Sequence, residues 1–205
     1  MTKRVVSKKV TRQYHHGDLR QSVITAALKL IVERGDVGFT VREIATVIGV
    51  SHTALYRHFE NKKLVLAAIA EEGYTELIRR LDATDEIDKV IQAYVEFATT
   101  HPGHFRVMYH SELSQKDLSP KLSELAAQSG QRLMQVIAAS EKQGHKASKA
   151  PIEEVATACW ALAHGLSELI ICQQLPPKVL NDQAQLSKRI KAVTHLLVTG
   201  LFGED

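Results

Sequence analysis

The run Val41-Arg-Glu-Ile-Ala-Thr-Val-Ile-Gly-Val-Ser-His-Thr-Ala-Leu-Tyr-Arg-His-Phe59 decides how the rest of the chain is read. Two short helices that cross at about 90–120° need a small residue where their backbones meet, a permissive residue at the turn and apolar residues facing inward. Ala45 supplies the first, Gly49 the second, and Ile44, Ile48, Val50, Leu55 and Phe59 the third. The spacing predicts one helix over 41–48, a tight turn, and a second helix over 51–59 capped by Ser51. With Leu55 and Phe59 inward, 3.6 residues per turn place His52, Thr53, Tyr56 and Arg57 outward. In a helix-turn-helix the first residues of the second helix enter the major groove of duplex DNA while the first helix crosses the backbone. That assigns His52, Thr53 and Ala54 to base edges, and Ser51, Tyr56, Arg57 and Lys62 chiefly to phosphates. The same offsets also suit a plain helical hairpin.

Charge separates the two readings. Residues 1–63 hold 12 Lys and Arg against 5 Asp and Glu, while residues 64–205 hold 14 against 18, so the net charge of +3 divides into +7 and −4. A basic module ahead of a mildly acidic body points to a polyanion at one end and a different task at the other. The arm 1–16 contributes Lys3, Arg4, Lys8, Lys9 and Arg12 to the basic part.

Outward from the motif, helical periodicity dominates and no alternating strand pattern occurs. Leu19, Val23, Ala26, Ala27, Leu30 and Ile31 define a helix from Asp18 to near Gly35, and a longer one is expected from Asn61 to about Leu81. Polar residues 82–88 mark a boundary between a first domain, 1–80, and a second, 85–205. Beyond it the expected helices are Glu86 to Thr100, stopped by His101-Pro102-Gly103, then Phe105 to Leu113, Pro120 to about Gln143, Pro151 to before Pro176, and Asp182 to about Leu201. The fold class is all-α with about nine helices. The stripes Val155, Leu162, Leu166, Ile170 and Leu186, Ile190, Val193, Leu197 exceed what one body needs to cover, and predict a four-helix interface in a two-fold homodimer.

Composition excludes other classes. At 44% hydrophobic and 24% charged residues, the chain is neither collagen-like nor disordered. The nearest approach to a membrane span, Val155 to Cys172, contains His164, Ser167 and Glu168, and no signal-peptide core follows the basic arm. With two cysteines, Cys159 and Cys172, the expected location is the cytoplasm, with no membrane partner.

The run Gly38-Phe-Thr-Val-Arg-Glu-Ile-Ala45 with Gly49-Val-Ser-His-Thr-Ala-Leu-Tyr-Arg-His-Phe-Glu-Asn-Lys62 resembles the DNA-binding domain of the tetracycline-repressor (TetR) family of bacterial regulators, and Tyr14-His-His-Gly-Asp-Leu-Arg20 is similar to a common opening in that family. The resemblance covers about residues 14–77. It implies a three-helix DNA-binding head, a fourth helix joining it to a helical body, and a homodimer whose body binds an inducer. By that resemblance DNA contacts fall on Thr40, Arg42, Ser51, His52, Thr53, Tyr56, His58 and Lys62; His58 equally suits a half-buried packing role. Trp160-Ala-Leu-Ala-His164-Gly165 looks like the Trp…His-Gly signature of one class of TetR C-terminal domains.

Trp160 and His164 are i, i+4 neighbours, and with Phe97, Phe105, Met108, Met134 and Cys159 they are candidates for a ligand cavity. The competing reading of each is plain core packing. His101, His104 and His110 are closely spaced, but no cysteine pair or acidic residue joins them at a zinc spacing, and no metal or cofactor is expected. No phosphate loop, nucleophile elbow or His-Glu-x-x-His pair marks an enzyme. Two classes stand: a regulator, most simply a repressor released from a near-palindromic operator by an unknown small-molecule effector, and a helical enzyme or metal-binding protein whose basic end is incidental. Salt-dependent binding to duplex DNA separates them.

Overall fold

The computed structural model of the chain describes residues 16–113, 119–142 and 150–202. The basic arm, and with it Tyr14, lies outside the described residues. Among them all regular structure is helical: α1 His16–Arg34, α2 Val41–Ile48, α3 His52–Tyr56, α4 Lys62–Leu81, α5 Ile87–Thr100, α6 Pro102–Met108, a 3-10 turn Ser111–Leu113, α7 Pro120–Lys142, α8 Ile152–Ile171, α9 Pro177–Leu180 and α10 Gln183–Phe202.

Helix α1 turns Leu19, Val23, Ile24, Ala27, Leu30 and Ile31 inward, as its periodicity predicts. The long helix α4 is apolar over most of its circumference, burying Val65, Leu66, Ile69, Tyr74, Leu77, Ile78 and Leu81. It packs on α1 on one side and on α5, α6 and α7 on others, so little of it is left to water. Gly73 marks a close contact with α6: a Cβ there would lie 2.6 Å from Met108 Sδ and 3.1 Å from His104 Cβ, so a side chain at this position would have to push the Met108 thioether aside. Buried residues from Leu19 to Ile190 form one connected core.

Four expectations about the elements are corrected. His101-Pro102 does not leave a gap before a helix at Phe105; Pro102 takes the first-turn position, where its missing N–H costs nothing, and α6 starts there. The helix expected through Leu113 ends at Met108 and gives way to the 3-10 turn. The four-residue α9 after Pro176 is too short to show a period. Helix α3 stops at Tyr56; His58 and Phe59 still bond back to the Leu55 carbonyl, which folds Phe59 into the core.

The stripes expected at a subunit interface also need correction. Val155, Leu166, Ile170, Leu186 and Ile190 are buried within this one chain, against α5, α7 and α9, because a single body does need both stripes. The faces of α8 and α10 that meet water carry Ala161, Gly165 and Leu169, and Ala192, Leu196 and Gly200.

Candidate nucleic-acid interface and effector cavity

The helix-turn-helix is held by local chemistry that the sequence supplies. Thr40 caps α2, its Oγ1 accepting from the Glu43 N–H at 3.1 Å while the Glu43 carboxylate accepts from the Thr40 N–H, a reciprocal capping box. Arg34 at the end of α1 ion-pairs with the same Glu43, which raises the guanidinium's pKa and lowers the carboxyl's, and so ties the first helix to the second. Gly49 ends α2 at φ +73, a left-handed conformation that suits glycine, and its N–H returns to the carbonyls of Ala45 and Thr46. Ser51 then caps α3, accepting from the Ala54 N–H at 3.2 Å.

The result sorts the motif's residues into two layers. Leu55 and Phe59 are buried, while Thr40, Arg42, Ser51, His52, Thr53, Tyr56 and Arg57 are exposed. Ala54 and His58 are half-buried. Arg20 lies over the Phe59 ring at 5.6 Å, which adds a cation to the same end of the molecule. Lys62 is half-buried, 5.6 Å above the Phe39 ring, and donates to Glu112 Oε1 at 2.9 Å. A phosphate would have to compete with that carboxylate for it.

In the body, α4, α5, α6, the 3-10 turn, α7 and α8 line a cavity of about 790 Å³ that is open to solvent between α7 and α8, where Ser123, Ala127, Glu153 and Trp160 are exposed. Of the residues proposed for it from the sequence, Met108, Met134, Cys159 and Trp160 form part of the wall. Phe97 and Phe105 are fully buried behind the wall, Phe97 stacked on His101 and Phe105 packed on Tyr94 and Tyr109. His164 also stands behind, its Nδ1 3.0 Å from the Tyr94 hydroxyl. The remaining apolar wall is made by Leu77, Leu81, Val90, Ile91, Leu113 and Leu133.

Three tyrosines that sequence reasoning missed, Tyr74, Tyr94 and Tyr109, supply the cavity's aromatic wall with Trp160. They come from α4, α5 and the residue just past α6 at no regular spacing, so no periodic signal announces them. Their hydroxyls are desolvated and their pKa values raised, that of Tyr94 to about 12. Tyr94 accepts from Trp160 Nε1 at 3.3 Å and also pairs with the Tyr109 hydroxyl at 3.0 Å. Burial pushes the Cys159 thiol up to about 11, which leaves it a protonated, unreactive wall residue at neutral pH.

The close histidines have other partners. His101 stacks on Phe97, His104 faces Glu72 at 3.7 Å, and His110 Nδ1 accepts from the Glu112 N–H. Among the described residues no group of three or more His, Cys, Asp or Glu is placed to hold a metal ion, and no helix is long and apolar enough to cross a membrane.

Comparison with known proteins agrees with this geometry. Residues 23–69, which contain the helix-turn-helix, match the family model described as "Bacterial regulatory proteins, tetR family". Residues 87–193, which contain five of the six segments that line the cavity, match "Tetracyclin repressor-like, C-terminal domain". The chain belongs to the TetR family of DNA-binding transcriptional regulators. As a TetR-family member it is 45% identical over 65 residues to the class A tetracycline repressor protein from transposon 1721 of Escherichia coli, a match covering 30% of each chain. It is 32% identical over 98 residues to the nucleoid occlusion factor SlmA of Haemophilus influenzae, covering 43% of this chain and 45% of that one. The chain thus spans under half the length of these curated relatives. A solved tetR-family regulatory protein from Rhodococcus RHA1 superposes with a TM-score of 0.72 over 91% of this chain and 98% of that one, at 21% identity, and so shares the fold.

Proposed function

We propose that this chain is a homodimeric transcriptional repressor that leaves a near-palindromic operator when a small molecule occupies the cavity. In this reading residues 1–80 form the DNA-binding domain and 85–205 the effector and dimerisation domain. His52, Thr53 and Ala54 read base edges, and Thr40, Arg42, Ser51, Tyr56, Arg57, His58 and Lys62 hold the backbone. The observation that supports it best is the shared wall: α4 starts beside the motif at Lys62 and lines the cavity at Tyr74, Leu77 and Leu81. One rigid element therefore reaches both sites, so a change in cavity shape can reset the spacing of two heads. The test is to sequence DNA retained by the purified protein, titrate the recovered duplex, and follow transcription beside that site after deletion of the gene. Raised transcription on deletion is the expected result; a fall would indicate an activator.

The similarity to the nucleoid occlusion factor supports a second reading, a DNA-bound protein whose task is not transcriptional. Many retained sites across the chromosome, with no change in neighbouring transcripts, would favour it.

A further inference from the structure

The cavity's aromatic wall carries one hydrogen-bonded cluster, and its wiring decides which of the cluster's hydroxyls a ligand can engage. The Tyr94 hydroxyl has one proton and two lone pairs, and three partners: Trp160 Nε1, the Tyr109 hydroxyl and His164 Nδ1. Trp160 can only donate, so it takes one lone pair. If Tyr94 donates to His164 Nδ1, Tyr109 must donate to Tyr94 and is left with acceptor capacity. If His164 carries its proton on Nδ1 and donates, Tyr94 donates to Tyr109, whose own proton is left to point elsewhere. Tyr94 is saturated in both arrangements, and within this cluster Tyr109 is the hydroxyl with capacity to spare; Tyr74, outside it, turns its proton to the Met108 carbonyl at 3.5 Å. Switching between them needs only a tautomer change in His164, whose pKa is lowered by burial, so the neutral ring prevails at pH 7.

Charge in the ligand is disfavoured by the same walls. Among the described residues they hold no Lys or Arg, and the one carboxylate, Glu153, sits at the exposed rim where water screens it. The surroundings that raise the Tyr109 pKa through desolvation, reinforced by the neighbouring Tyr94, would penalise a ligand carboxylate in the same way. An ammonium would lose its hydration shell for aromatic faces and a screened rim charge.

We infer that the cavity selects an uncharged, ring-bearing apolar molecule with one hydroxyl or carbonyl group, and that the Tyr109 hydroxyl is the residue that holds that group. The inference rests on reading the cavity as the effector site.

Calorimetry on the full chain with four probes of one shape tests it: para-butylphenol, para-butylbenzoate, para-butylbenzylammonium and para-butyltoluene. The phenol should bind at least about ten-fold more tightly than either ion. Tyr109→Phe should weaken the phenol by about five-fold and leave the toluene unchanged, since only the first uses the hydroxyl. Gly130, in mid-α7, lines the cavity with open space where a Cβ would stand, so Gly130→Phe should fill the space without loss of helix and abolish all binding. Equal or tighter binding of the benzoate or the ammonium would overturn the ligand class while keeping the cavity as a binding site. Equal losses for phenol and toluene in Tyr109→Phe would overturn the anchor. No binding by any probe, or binding that survives Gly130→Phe, would overturn the effector-site reading itself.

Discussion

Lys62 and Glu112, fifty residues apart, form an ion pair of 2.9 Å that joins the first residue of α4 to the 3-10 turn at the cavity wall. The turn's other two residues, Ser111 and Leu113, both line the cavity. A side chain expected to hold DNA phosphate is therefore held instead by a carboxylate of the turn at the cavity wall. Freeing it should favour DNA: Glu112→Gln should tighten duplex binding by about two- to five-fold and steepen its salt dependence, the scale of a half-exposed pair. Lys62→Ala should weaken binding to all sequences, and in that background Glu112→Gln should change nothing. A double-mutant cycle measured at several salt concentrations checks this; additive effects would show that the pair does not compete with phosphate.

Sequence readout should behave differently. His52 and Thr53 are exposed on the first turn of α3, where they can reach base edges, so Thr53→Ala should relax discrimination at one base pair by about 1–3 kcal/mol with little change in the salt slope. Selection from a randomised duplex pool, run on both proteins, measures it. Identical recovered motifs would remove this helix from the groove.

Much of this was legible in the chain because the motif's chemistry is local. Thr40, Glu43, Gly49 and Ser51 cap and turn within a few residues of one another, so their spacing alone places α2 and opens α3. The cavity was only half legible. Met108, Met134, Cys159 and Trp160 line it, but Phe97 and Phe105, equally apolar and equally periodic, are packed behind it, and periodicity cannot tell the two layers apart. Tyr94, Tyr109 and Trp160 meet only because α5, the end of α6 and α8 converge, a tertiary fact without a sequence spacing. The same holds for Lys62 and Glu112.

Association should use the faces left in water. Leu196 is 71% and Leu169 45% exposed, and Gly165 and Gly200 have open space at their Cβ positions, which allows close approach of a second pair of helices. Leu196→Glu should convert the proposed dimer to a particle of 22.8 kDa by light scattering and cost most of the operator affinity, since each head alone reads one half-site. A wild-type monomer at micromolar concentration would reject the dimer.

Stability should depend on pH through His104. Burial, with His101 adding to it and Glu76 opposing, lowers its pKa from 6.5 to about 4. Between those values the unfolded chain binds more protons than the folded one, so this contribution is complete above about pH 6.5 and is lost as pH falls toward 4, by up to about 3 kcal/mol. Urea unfolding across that window should show a shallower loss in His104→Asn than in the wild type. Parallel curves would remove His104 as the cause.

The contact between Gly73 and Met108 leads to the last expectation. Gly73 belongs to α4, which carries the head, and Met108 belongs both to α6 and to the cavity wall. An effector that presses on Met108 therefore presses on α4 where the Met108 side chain already occupies the space beside Gly73. The coupling between operator and effector should be about 1–3 kcal/mol, and because linkage is reciprocal, operator DNA must weaken effector binding by the same factor. Once an effector is found, its dissociation constant on the free protein and on the operator complex measures this, and equal values would reject the mechanism. Gly73→Ala sharpens the test. Its methyl would meet Met108 Sδ at 2.6 Å and drive that flexible side chain toward the cavity, so effector affinity should fall although no residue of the wall has been changed. Operator affinity in the absence of effector should also fall, because the methyl imitates in part the pressure an effector exerts. If Gly73→Ala left both affinities unchanged, the Gly73–Met108 contact would not be the route from cavity to head.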